Sequence, residues 1–168
     1  MNLTSKTEFV KLIKEYQRLI NSLCNIYFAS EEDRKDGRQD IILQLWRAYP
    51  TFRNEAKIST WIYKVALNTI LSKNRKDKRR ISTTSLSSYD FSDVATPVFA
   101  DDEVQHLQQA INMLQDLDKA IVILYLEGYS HREIAAILFL TETNISTRFS
   151  RIKIQLQKIF KLKQYEFR

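Results

Sequence analysis

Two runs of basic side chains are the residues best suited to chemistry with a partner. Lys73, Arg75, Lys76, Lys78, Arg79 and Arg80, opposed only by Asp77, crowd into one short stretch. Positive charge at that density attracts phosphates, because each contact releases condensed counterions. Arg148, Arg151, Lys153, Lys158, Lys161, Lys163 and Arg168, against Glu142 and Glu166, form a second run. A basic cluster at a helix end also complements the helix macrodipole. Two such runs on separate helices suggest two contacts with one polyanion. Between them, residues 82–102 hold Asp90, Asp93, Asp101 and Asp102 and no base, and the whole chain carries a net charge of +6.

Other chemistries lack their residues. The chain has 168 residues, 44% hydrophobic and 27% charged, enough for one ordinary domain or two small ones. Gly37 and Gly128 stand alone, whereas a phosphate-cradling loop or a dinucleotide-binding turn needs several glycines close together. Cys24 lies among Leu23, Ile26 and Tyr27 and reads as a core thiol, with no disulfide or cysteine-based zinc site available. His106 and His131 are far apart without clustered ligands, so no metal, cofactor or catalytic residue is expected, and both read as surface histidines. No stretch approaches the roughly 20 apolar residues that span a bilayer. A cytoplasmic location, without membrane insertion, is expected.

The elements that must position the basic runs are helical, since glycine and proline are scarce while leucine, lysine and glutamate abound. An all-α fold is expected. Ser5 and Glu8 resemble a capping box, and Phe9, Ile13, Tyr16, Ile20, Leu23 and Tyr27 then follow helical spacing, predicting a first helix to about Ala29. Ser30, followed by three acids, starts a second helix to about Tyr49, with Ile41, Ile42, Leu45 and Trp46 inward and Gln39, Asp40 and Gln44 outward. Pro50 breaks it. After the polar segment 51–58, Ser59 is expected to cap a third helix with Trp61, Ile62, Val65, Ala66, Thr69 and Ile70 on its apolar face. Lys64, Asn68, Arg75 and Arg79 share one outward stripe, which suits nucleic acid.

Residues 82–100, rich in serine and threonine and containing Pro97, read as a linker between domains at 5–81 and 101–168. In the second domain Val104, Leu107, Ile111 and Leu114 mark one helix and Ala120 to Leu126 another, which Gly128 can end in a left-handed conformation. Ser130 and Glu133 form a capping box before Ile134, Ala135, Ile137 and Leu138. Thr141 then caps a helix with Ile145, Phe149, Ile152 and Leu156 inward. This is helix-turn-helix spacing, in which the second helix enters the major groove. Thr143, Asn144, Ser146, Thr147, Arg148 and Arg151 would then meet the DNA. Arginine can pair with guanine, asparagine with adenine, and serine or threonine with a base or a phosphate. Which does which stays open.

Read together, Gln39-Asp40 through Leu45-Trp46, Ser59 through Asn68 and the first basic run resemble region two of sigma-70 family factors. Tyr125 through Ser130, Glu133-Ile134-Ala135 and Asn144 through Lys153 resemble region four. Their order and short linker resemble the extracytoplasmic-function (ECF) group. The resemblance implies an alternative, non-enzymatic initiation factor whose partners are core RNA polymerase, promoter DNA and an anti-sigma factor; the sequence does not set the oligomeric state, and a monomer is the default expectation for the free chain. It implies that Asp36, Gln39, Asp40, Gln44 and Trp46 dock on the polymerase clamp helices, Trp46 alternatively serving the core. Segment 51–58 would capture an unstacked base of the minus-ten element, with Phe52, Asn54, Lys57, Trp61, Lys64, Asn68, Arg75 and Arg79 on that DNA. The second domain would read the minus-thirty-five element, and a flexible linker would let both domains span the promoter.

Two positions depart from the pattern. Gly37 and Arg38 replace apolar residues and leave a kink in the second helix open; Phe139 replaces the usual turn glycine, where positive φ is strained, and leaves another turn geometry open. The alternative function is a helix-turn-helix regulator acting outside the polymerase. It leaves residues 9–80 without a role.

Overall fold

The computed structural model describes the backbone of residues 3–53, 56–83 and 109–166, and the side chains of residues 6–53, 56–79 and 109–159. The described residues are mostly helical, with no strand among them. They fall into two compact units, one on each side of residues 84–108. Val104, Leu107, His106 and nearly all of the expected linker lie outside the described residues.

The first unit comprises α1 (Leu3–Glu15), α2 (Gln17–Tyr27), α3 (Glu31–Ala48), a 3-10 turn (Tyr49–Thr51) and α4 (Ile58–Thr83). The single first helix expected from the sequence is two helices, bent at Tyr16, where φ is −97° and ψ 13°. Hydrogen bonding continues through the bend, from Tyr16 N–H to the Leu12 carbonyl at 3.0 Å and from Ile20 N–H to the Tyr16 carbonyl at 3.2 Å. The apolar periodicity therefore runs through it unbroken. Because α1 begins at Leu3, Ser5 lies within the helix and does not cap it.

Ser30 caps α3 as expected, its Oγ accepting the Asp33 N–H at 3.0 Å. Arg34 then ties the start of α3 to the end of α2, donating through Nε to the Phe28 carbonyl at 3.0 Å and through Nη2 to the Ala29 carbonyl at 2.7 Å. α3 runs without a break through Gly37 and Arg38. Gly37 instead makes room: a Cβ there would run into the Phe28 ring at Cε2. The first hydrogen bond of α4 runs from Trp61 N–H to the Lys57 carbonyl at 3.1 Å, so the cap position is Lys57, and Ser59 falls inside the helix.

Packing of α3 on α4 and α2 builds the core. Ile20, Leu23, Ile41, Leu45, Ile62, Leu67 and Ile70 are almost fully buried, and each such side chain is worth about 1.5–3 kcal/mol. The buried face of α4 is rotated from the expected one. Tyr63 and Leu67 are buried, while Trp61, Val65 and Thr69 are half-buried, as are Ile42 and Trp46 on α3.

In the second unit, residues 109–112 are helical and α5 (Asp116–Leu126), α6 (His131–Leu138) and α7 (Glu142–Glu166) follow. Gly128 ends α5 at φ 87°. Ser130 Oγ accepts the Glu133 N–H at 3.3 Å and the Glu133 carboxylate accepts the Ser130 N–H at 2.8 Å, closing the capping box. Thr141 Oγ1 accepts the Asn144 N–H at 3.2 Å and starts α7. Ile121, Leu124, Ile134, Ile137 and Ile145 fill the core; Phe149 and Leu156 are only half-buried. The turn keeps its left-handed geometry despite Phe139, at φ 56° and ψ 44°. Leu140 N–H reaches the Ala135 carbonyl at 2.9 Å there, which holds the exposed phenylalanine in place.

These two departures predict stability changes of opposite sign. Gly37→Ala is expected to destabilise by about 1–3 kcal/mol through overpacking, although alanine is ordinarily the better helix former. Phe139→Gly is expected to stabilise by up to about 1 kcal/mol, because glycine adopts the left-handed region without steric strain. With Phe139 70% exposed, little packing is lost. Urea unfolding of the two variants beside the parent checks both signs.

Candidate nucleic-acid interface

Burial of Ile41 and Leu45 turns the opposite face of α3 outward. Asp36 and Gln39 are exposed there, and Asp40 and Gln44 are half-buried. Leu43 lies among them at 44% exposure, an apolar residue on the outer face that the helical pattern of the core does not reveal. Trp46 stands at the side of this face, its ring edge-on to Phe9 with centroids 4.9 Å apart.

That contact begins an aromatic row. Phe9 also meets Tyr49 at 5.3 Å, Tyr49 lies 6.4 Å from Trp61, and Trp61 lies 5.0 Å from Phe52. The row joins α1, α3, the 3-10 turn and α4, so the segment after Pro50 is anchored at the start of α4. Phe9 and Tyr49 have no site role in the sequence reading; they become visible only because they support Trp46 and Trp61. Along α4, Lys57, Trp61, Lys64, Asn68, Arg75 and Arg79 fall on one side by helical periodicity. Arg75 and Arg79 are exposed, and Asn68 Nδ2 donates to the Lys64 carbonyl at 2.6 Å. Asn54 lies outside the described residues.

Lys73 belongs to another side of α4. Its ammonium donates to Asp40 Oδ2 at 2.8 Å and sits 5.7 Å from the Phe28 ring centroid. Burial pulls its pKa down, but the hydrogen bond and charge of Asp40, with the charges of Asp36 and Asp77, outweigh that and raise it above 10.5. Asp40 is therefore both a member of the outer α3 face and the partner of an α4 lysine. Nearby, burial pushes the Cys24 thiol up to about 11 against the lowering charges of Arg38 and Lys73, so it stays protonated and unreactive.

In the second unit Thr143, Asn144, Thr147, Arg148 and Arg151 line one polar concavity of about 640 Å³ with Gln115, Asp118, Thr141 and Gln155. Arg148 Nη1 donates to Asp118 Oδ1 at 2.9 Å and its Nε to Asn144 Oδ1 at 3.0 Å. Ser146 is not part of this group. Its Oγ lies 3.0 Å from His131 Nδ1, and the half-buried His131 ring packs on Phe149 at 5.2 Å, joining α6 to α7 rather than standing on the surface. Asp118 escapes the sequence reading because an acid in the first turn of a helix already suits the helix dipole.

A Sigma-70 region 2 family model matches residues 12–80 and a Sigma-70 region 4 model residues 105–156. The chain is 24% identical over 151 residues to the ECF RNA polymerase sigma factor SigM of Mycobacterium tuberculosis, covering 90% of this chain and 76% of that one. It is 27% identical over 165 residues to the ECF RNA polymerase sigma-E factor of Haemophilus influenzae, covering 90% and 87%. Among solved structures, the fold is similar to that of the sigma factor RpoE from Bartonella quintana, in complex with the anti-sigma factor NepR. The TM-score is 0.70 at 20% identity, over 92% of this chain and 97% of that one.

The Asp40–Lys73 pair yields a pH prediction. A lysine whose folded pKa is raised contributes stability that is fully present below 10.5 and lost as pH climbs through the raised value. With Asp40 48% exposed, Asp40→Asn is expected to destabilise by at most about 1 kcal/mol at pH 7. Urea unfolding of parent and variant at pH 7 and above pH 10.5 measures the difference. A gap that stays constant across that range rules out the ion pair as its source.

Proposed function

Because this chain belongs to the sigma-70 family of RNA polymerase sigma factors, in its ECF group, we propose a division of labour among its residues. The protein is an alternative sigma factor, a non-enzymatic subunit that directs promoter-specific transcription by RNA polymerase. In the first unit, Asp36, Gln39, Asp40, Leu43 and Gln44 dock on core polymerase, with Trp46 setting the edge of that surface. Phe52, Lys57, Trp61, Lys64, Asn68, Arg75 and Arg79, with Asn54, take the separated strand at minus ten. In the second unit, Thr143, Asn144, Thr147, Arg148 and Arg151 face the minus-thirty-five duplex, and Ser146 supports α7 through His131.

The observation that carries this reading is the opposition of two faces in the first unit. An acidic and apolar face on α3 and a cationic, aromatic face on α4 belong to helices locked by a common core. Polymerase and DNA can then be held at once. The energies are commensurate: flipping a base from the duplex costs a few kcal/mol, and stacking it on an aromatic side chain returns about 1–3 kcal/mol. The half-buried Phe52 and Trp61 offer such a platform beside the basic side of α4. Release of counterions by Lys64, Arg75 and Arg79 supplies the remainder.

Three further readings accompany it. The solved RpoE is in complex with an anti-sigma factor, and this chain is held in the same manner until released. It acts in the cytoplasm; among the described residues no helix is long and apolar enough to cross a membrane. It is monomeric until it docks. A regulator acting outside the polymerase would leave residues 12–80 unexplained, although they match region 2 of the sigma-70 family.

Co-elution with bacterial core RNA polymerase, followed by mapping of transcript starts on genomic DNA, tests the function. Leu43→Asp is expected to abolish co-elution while leaving the fold intact. Arg148→Ala is expected to co-elute normally and lose about 5- to 100-fold in upstream duplex recognition, the range of one base contact. DNA binding without co-elution by the parent chain would establish the regulator instead.

A further inference from the structure

Arg148 is the half-buried cation of the second unit's DNA-facing concavity, and it does not stand in solvent awaiting a phosphate. Its Nη1 meets Asp118 of α5 at 2.9 Å, and its Nε meets Asn144 of α7 at 3.0 Å. We propose that Asp118, outside the helix-turn-helix motif, is a specificity-determining positioning residue that holds Arg148 and Asn144 as one guanine-reading unit. The inference rests on the reading of α7 as the helix that meets duplex DNA.

Two consequences of the geometry carry it. Asparagine reads adenine bidentately by accepting from N6 through its carbonyl while donating to N7. The Asn144 carbonyl already accepts from Arg148, which orients the amide as a strut and leaves that oxygen one lone pair rather than two for any other donor. The guanidinium keeps unused N–H groups after both contacts, enough for a two-pronged contact to O6 and N7 of guanine. Arginine held at two points has fewer orientations to lose when it binds.

The second consequence concerns charge. The Asp118 side chain is only 16% exposed and that of Arg148 36%, so water screens the pair incompletely. A neutralised Arg148 contributes little to counterion release, which is the source of sequence-independent affinity. Arg151 and Lys153, exposed on the same helix, remain for phosphates. Asp118 thereby removes one non-specific contact and converts it into a base contact.

The test uses the full chain bound to core RNA polymerase and an upstream duplex selected from a random-sequence pool. Binding is measured to that duplex, to variants replaced at each base pair, and to a non-cognate duplex over a range of salt. In the parent, replacing one G·C pair is expected to weaken binding about 10-fold, and Arg148→Ala should erase the penalty at that pair alone. Asp118→Ala should shrink the same penalty to under about 3-fold, spare the other pairs, and steepen the non-cognate log–log salt slope by up to about 0.9. Asp118→Asn keeps an acceptor without the charge, so it should retain the base penalty and gain the steeper slope; it also serves if Asp118→Ala fails to fold.

An unchanged penalty and slope in the Asp118 variants, beside a base-specific loss in Arg148→Ala, would overturn the role of Asp118 and leave the DNA reading standing. A uniform loss at every pair together with a lower unfolding midpoint would make Asp118 a packing residue only. If Arg148→Ala itself changes no base preference, the assignment of Arg148 as a reader falls, and the role of Asp118 falls with it.

Discussion

The close packing of α3 against α4 and the end of α2 is the contact on which the first unit depends. It is set by Ile41 and Leu45 meeting the burial of Ile62, Leu67 and Ile70, with the Phe28 ring seated where Gly37 has no Cβ. Any rotation of α3 about its axis would move Asp36, Gln39 and Leu43 away from the surface they share. Any rotation of α4 would do the same to Lys64, Arg75 and Arg79. Several buried aliphatic side chains, each worth about 1.5–3 kcal/mol, hold this register, beside which the half-exposed Asp40–Lys73 pair is worth at most about 1 kcal/mol. The hydrophobic seam therefore fixes both working faces, and Asp40–Lys73 only trims it.

The second unit reaches comparable definition by another route. Its helices α5 and α6 are short, and three local arrangements set the limits of α6 and the start of α7: the Ser130–Glu133 box, the left-handed backbone of Phe139 and the Thr141 cap. Each satisfies backbone groups that a helix terminus leaves unpaired. The strain at Phe139 is borne by neighbours, since Ile134, Ile137 and Leu138 on one side and Ile145 on the other are buried and anchor the two helices that the turn joins. His131 bonding Ser146 adds a tie across the same corner. The start of α7 is thus held by both the Thr141 cap and the His131–Ser146 tie.

Legibility in the sequence follows from how local each device is. Ser30, Ser130, Thr141 and Gly128 act on backbone within a few positions, and all were readable. Ser5 and Ser59 carry the same residue type but sit inside helices; composition cannot separate those cases. The bend at Tyr16 leaves the apolar spacing intact and so leaves no trace. Gly37 looked like a flaw in a helix because its meaning lies in Phe28, which reaches it only through the fold. The same limit hides Asp118, whose partner is on another helix, and Leu43, whose position among outward polar residues emerges only once the core is known. The outer polar face of α3 and the basic stripe of α4 were legible because amphipathic spacing assigns them whatever the partner is.

Two interhelical ion pairs among the described residues show how a basic protein can keep its charge from acting indiscriminately. In each unit a carboxylate from an earlier helix reaches a cation on the helix proposed to carry the DNA-facing residues: Asp40 to Lys73, and Asp118 to Arg148. The pairs differ in burial and in the shape of the cation. Lysine is a compact point charge, and with Asp40 half exposed the pair mostly balances charge near Phe28. Arginine presents a planar fork, so a carboxylate on one edge and an amide carbonyl on another orient it as well as neutralise it. The same ionic contact is thus mainly a trim in the first unit and a geometric constraint in the second. The difference matters because strand capture needs charge along a backbone, whereas duplex reading needs direction toward a base edge.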